Sequence, residues 1–95
     1  MAKIVWTEIA IDDLNNIANF HSQYSDRFTS ALIKKLFNKP KILKEMPELG
    51  RVVPERDHES IRELIEGNYR IIYFFDQEAD LVEILTVHHS SQPFL

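Results

Sequence analysis

Apolar and polar positions alternate along this chain with two different periods, and the change of period divides it into a helical half and a sheet half. Residues 2–6 read as a short strand. Ala10, Leu14, Ile17, Ala18 and His21 then recur three and four apart, on one face of a helix over about residues 8–22. Thr7 is its N-cap, and Glu8, Asp12 and Asp13 place negative charge near the positive end of the helix dipole. Ser25 or Asp26 caps a second helix with the stripe Phe28, Ala31, Leu32 and Leu36, continued by Leu43 and Met46. Pro40 interrupts this run and should kink or split it, because proline lacks the amide donor; Pro47 and Gly50 end it. Arg51–Ser60 reads as a polar loop. The pattern then changes to period two in Ile61–Ile65, Tyr69–Phe75 and Leu81–His88, all rich in β-branched and aromatic residues. Gly67-Asn68 is a two-residue hairpin turn, and Asp76–Asp80 is a polar connector. The prediction is an α+β domain: an N-terminal strand, a helical hairpin, then a three-strand antiparallel meander, with the helices on one face of a single antiparallel sheet.

With 95 residues, the chain is read as one domain, 1–95. A domain of this size has no room for a core and a deep catalytic cavity as well, so chemistry is expected on an open face with a large partner as the other wall. The absence of cysteine excludes disulfides and cysteine-ligated zinc, and fits a reducing compartment. The apolar stretch at the start is too short for a signal peptide and nothing later approaches a membrane span, so a cytoplasmic protein without membrane contact is expected. The net charge of -4 weighs against bulk nucleic-acid binding. It leaves room for a local patch, since Lys34, Lys35, Lys39, Lys41 and Lys44 crowd one segment. That segment is either a solvated helix face or a surface for a phosphate backbone.

Hairpin geometry assigns side chains to faces, because residues opposite one another in an antiparallel pair point the same way. With Gly67-Asn68 as the turn, Glu63 faces Ile72 and Ile65 faces Arg70. A symmetric Asp76–Asp80 connector sets Arg70 against Thr86, with His88 diagonal to Arg70. Glu63, Arg70, Thr86 and His88 then share one face. Leu64, Tyr69, Ile71, Tyr73, Phe75, Leu85 and Val87 share the other, which should meet the helices. A slip of one residue would bring in Arg62 or His89 instead. Histidine can act as general acid or base, arginine can hold a phosphate, and glutamate can orient either or act as base. RNA supplies its own nucleophile, the 2′-OH, so neither metal nor cofactor is needed. The alternative is an Arg70–Glu63 ion pair beside a terminal histidine. His21 and His58 stand alone, and two glycines are too few for a phosphate-cradling loop.

Trp6-Thr7 before Ala10 and Asp13-Leu14, the run Pro47-Glu48-Leu49-Gly50-Arg51-Val52-Val53-Pro54-Glu55, Ile61-Arg62-Glu63-Leu64, Tyr69-Arg70-Ile71-Ile72-Tyr73 and Val87-His88-His89 resemble, in order, the RelE/ParE toxin superfamily. The resemblance implies the same strand, helical hairpin and sheet. It implies a toxin of a type II toxin–antitoxin pair, with a cognate antitoxin as partner. The target it implies is either the ribosome with its mRNA, which is cut, or DNA gyrase, which is poisoned. Arg70 corresponds to the family's central arginine, and His88 or His89 to a closing acid/base histidine. Glu63 stands where RelE-like ribonucleases carry a catalytic lysine, and Gln92 where many relatives carry a basic residue. The expected catalytic set is Arg70, His88 and Glu63, and the expected nucleic-acid or partner contacts are Arg51, Arg62, Lys35, Lys39 and His89. A degenerate toxin that retains only antitoxin binding is the alternative.

Overall fold

The computed structural model describes residues 1–94. Five strands form one sheet: β1 (Lys3–Trp6), β2 (Arg51–Val52), β3 (Ile61–Glu66), β4 (Tyr69–Asp76) and β5 (Leu81–His89). Between β1 and β2 lie α1 (Glu8–Ser22), α2 (Asp26–Asn38) and a 3-10 helix (Lys39–Lys44). The strand order is β1-β5-β4-β3-β2. The α+β prediction of a helical hairpin on one face of a single sheet therefore holds, with two corrections. The sheet is mixed rather than antiparallel, because β1 runs parallel to β5. The loop after Gly50 also contributes a strand of two residues, β2, too short to leave a periodic signal.

Local chemistry sets the element ends. Thr7 accepts a hydrogen bond from the Ala10 amide (3.2 Å) and donates to the Ile84 carbonyl (2.6 Å), so one hydroxyl caps α1 and ties it to β5. Ser25 accepts from the Phe28 amide at the start of α2. The helix gives way to the 3-10 turns immediately before Pro40, as the missing amide requires. Gly67 takes the positive φ (+57°) that the β3–β4 turn needs at its first central position.

The core is the contact of Ala10 and Leu14 of α1, Leu36 of α2 and Leu43 with the inner face of the sheet, where Leu64, Ile71, Tyr73, Phe75, Val82, Ile84 and Val87 are buried. The β4–β5 register corrects the expected one. Asp76 pairs with Leu81 and Tyr73 with Ile84, but Ile72 pairs with Thr86, so Leu85 is an extra residue in a β-bulge. Ile84, not Leu85, faces the helices, and Arg70 lies directly opposite His88 rather than Thr86. Beyond Trp6 the edge of β5 has no strand beside it. Asp13 of α1 covers that edge, its Oδ2 accepting from the Thr86 hydroxyl (2.5 Å) and the Val87 amide (3.0 Å).

Candidate functional site

Four strands and a loop converge on the outer sheet face. Register sets Arg51 of β2 opposite Glu63 of β3, Glu63 opposite Ile72 of β4, and Arg70 of β4 opposite His88 of β5. Glu63, 1% exposed, accepts from Arg70 Nε on Oε1 (2.6 Å) and from Arg51 Nε on Oε2 (2.5 Å). Arg70, 5% exposed, turns its other end to Glu55 in a bidentate pair, Nη1 to Oε2 (2.7 Å) and Nη2 to Oε1 (2.8 Å). Nη1 also donates to the Gln92 carbonyl (2.9 Å). The result is an alternating chain, Arg51–Glu63–Arg70–Glu55, in which two guanidiniums neutralise two carboxylates.

The electrostatics follow from these contacts. Hydrogen bonds from Arg70 and then from the Phe94 amide hold the Glu55 carboxyl down to about 2. The hydrogen bonds to Glu55, followed by those to Glu63, raise the Arg70 guanidinium further against the opposing effect of burial. Burial, and then the charge of Arg70, lowers the pKa of His88, so its ring is neutral near pH 7. Its Nε2 is buried and has no hydrogen-bond partner among the described residues.

The face is covered around Arg70 and Glu63. Residues 53–59 fold across it with Val53 fully buried, and residues 90–94 close it from the other side. Glu55 joins the two, accepting from Arg70 and from the Phe94 amide (2.9 Å). The Phe94 ring lies under the Arg56 guanidinium (4.9 Å) and 6.3 Å from the His88 ring. The expectation of an open reactive face is therefore corrected in part: loop and tail cover Arg70 and Glu63, while a hollow of about 220 Å³ lined by Arg51, Pro54, Glu55, Ile65, Arg70 and Ser90 stays beside them. Sequence reasoning brought Glu63, Arg70 and His88 together but missed Glu55, Gln92 and Phe94. Glu55 sits in a recognisable motif, but nothing in its spacing shows where the loop folds back.

The remaining candidates lie elsewhere. Arg62 points to the inner side, donating to the Glu48, Gly50 and Glu59 carbonyls, which fixes the loop before β3. Its neighbour Tyr73 donates to the Pro47 carbonyl (2.8 Å) and accepts from the Gly50 amide (2.9 Å). His89 is exposed, paired with the Ser91 hydroxyl (2.8 Å) and edge-on to Tyr69. It shares a cleft of about 540 Å³ with Phe20, Phe28, Lys35 and Tyr69. Lys39 reaches Glu66 at 3.9 Å. Among the described residues no three His, Asp or Glu side chains are grouped to hold a metal ion.

The family model described as ParE toxin of type II toxin-antitoxin system, parDE, matches residues 4–94. The chain belongs to the ParE toxin family. Toxin RelE2 of Caulobacter vibrioides is 28% identical to it over 92 residues, 97% of this chain and 99% of that protein. Among solved structures, the chromosomal ParDE system from P. aeruginosa superposes with a TM-score of 0.77 at 17% identity, covering 94% of this chain and 96% of that one. The intact E. coli RelBE toxin–antitoxin complex gives 0.70 at 14% identity, covering 97% and 100%. The RelBE2 complex from Mycobacterium tuberculosis gives 0.59 at 23%, covering 93% and 96%. At these identities the structural likeness is one of fold. This ParE-family toxin carries the family's strand, helical hairpin and sheet, with Arg70 locked between two glutamates. No helix among the described residues is long and apolar enough to cross a membrane.

Proposed function

We propose that this ParE-family toxin stops growth by binding DNA gyrase rather than by cutting mRNA, and that a cognate antitoxin neutralises it. The observation that carries the reading is the engagement of Arg70: its Nε and both Nη atoms donate to Glu63, Glu55 and Gln92, four of its five N–H groups in all. A phosphate could take the guanidinium fork only by displacing Glu55 and the tail. The ParE family match and the presence of Glu63, where a ribonuclease would have a catalytic lysine, support the same reading. The solved relatives include toxin–antitoxin complexes, which supports the antitoxin partner.

One observation favours the mRNA-cleaving reading, with Arg70, His88 and Glu63 as its set: His88 lies directly across from Arg70, and its Nε2 has no partner among the described residues. Two assays on the purified protein separate the readings. Gyrase supercoiling of relaxed plasmid should fall with added toxin, while mRNA on translating ribosomes stays intact. Cut mRNA with unaffected supercoiling would reverse the assignment, and Arg51, Arg62, Lys35, Lys39 and His89 would then be tested as RNA contacts.

A further inference from the structure

Charge is segregated along this acidic chain. The stretch from Arg27 to Lys44 holds six of the eleven basic residues and none of the fifteen acidic ones. It is α2 from its second residue onward together with the 3-10 helix, and Arg27, Lys34, Lys35, Lys41 and Lys44 are exposed. Among the described residues, Lys39 is the one of the six with an ion-pair partner, Glu66. The arginines of the sheet behave differently, since Arg51, Arg62 and Arg70 each meet a carboxylate. The exposed apolar side chains Phe28, Phe37 and Ile42 interleave with the unpaired cations.

At the end of this face is a hollow of about 150 Å³. Ile4, Trp6, Phe37 and Pro40 line it, with Lys41 and Lys44 on its rim. Trp6 and Phe37 are stacked on each other, 5.3 Å apart and 21° from parallel. Lys41 Nζ lies 5.7 Å from the Phe37 ring centre. Trp6 stacked on it and the Lys41 ammonium over the ring already occupy the stacking surface of Phe37 in part, and stacking is what single-stranded nucleic acid seeks from an aromatic surface. The lining also has no amide or hydroxyl side chain to read a base edge. An aliphatic side chain needs neither. The acidic remainder of the molecule repels a long polyanion, but a short acidic segment meets only the cations beside it.

We infer that the α2–3-10 face docks an acidic, amphipathic segment of a partner protein, with one aliphatic side chain in the Ile4–Trp6–Phe37–Pro40 hollow and carboxylates on Lys41 and Lys44. The inference does not depend on which cellular target the toxin attacks, and its test measures binding rather than growth or gyrase activity.

Trp6 is the sole tryptophan and lines the hollow, so its fluorescence reports occupancy directly. The full-length protein is titrated with three probes: a short synthetic peptide of glutamates around one central leucine, the same peptide with serine for leucine, and an oligouridylate of equal length. The leucine peptide should shift Trp6 emission saturably. The serine peptide should bind about tenfold more weakly or worse, the worth of burying one leucine side chain. Lys41→Glu with Lys44→Glu, both exposed and outside the core, should weaken the leucine peptide by at least about tenfold, through the loss of two attractive charge pairs and their replacement by repulsion. Lys41→Gln with Lys44→Gln should give an intermediate loss. Equal binding of the leucine and serine peptides, indifference to both double substitutions, or tighter binding of the oligouridylate overturns the proposal.

Discussion

Arg70 has five N–H groups, and the structure gives four of them acceptors on Glu63, Glu55 and Gln92. Removing it leaves two glutamates, one of them 1% exposed, without their shared cation. Arg70→Ala should therefore lower stability by about 3–5 kcal/mol, measured by urea denaturation; an unchanged midpoint would mean the network is not a structural frame. Glu55 is depressed from 4.5 to about 2, so its contribution to stability is complete above 4.5 and lost as the pH falls toward 2. Glu55→Gln should flatten that part of the stability-against-pH curve. His88 also has a folded pKa below its ordinary 6.5. The unfolded chain then takes up the proton first, and stability falls as the pH drops below 6.5 toward the folded value. His88→Gln should remove this slope near neutrality, read from midpoints across pH 5–7. The cluster's strand members were legible because strands have a period. Glu55 was not, because a loop contact across fifteen residues leaves no periodic trace.

At the scale of elements, the β4–β5 pairing shows why an imperfect register still gave the right face. The connector sets the pairing off by one residue from the symmetric expectation, and the bulge at Leu85 adds a second offset. Two steps restore the parity, so Arg70 and His88 stay on one face, while between the steps Val82 and Ile84 face inward in place of Leu85. A bulge has no composition of its own, and Leu85 looks like any core residue. The helices were easier to read, because Thr7, Ser25 and Pro40 act locally. Gly50 has a clear physical requirement: a Cβ there would lie 2.6 Å from the Glu63 carbonyl and 2.7 Å from Tyr73 Oη. Gly50→Ala should thus cost about 1–3 kcal/mol, with the Tyr73 hydroxyl losing its bond to the residue-50 amide. Asp13→Ala should cost a similar amount, about 1–3 kcal/mol, by leaving the Val87 amide without an acceptor. Faster hydrogen exchange at Val87 than at its strand neighbours would identify the cause; uniform exchange along β5 would argue against it.

Across the whole molecule, acidic net charge and a basic helical face coexist because residues 27–44 hold six basic side chains and no acidic one, while the acidic excess lies outside them. The sequence showed the crowding of lysines, but the contrast between paired sheet arginines and unpaired helix lysines required the fold. The first strand of the chain also pairs with the last, Lys3 opposite Leu81 and Trp6 opposite Ile84. Contacts this distant in sequence make folding slow, and during synthesis β1 has no sheet to join until β5 has emerged. Until β5 is made, the parallel half of the sheet cannot form. Pulse-labelled refolding should show amides of β1 and β5 gaining protection in the same late step, so that the toxin fold is complete only when two strands nearly eighty residues apart have met.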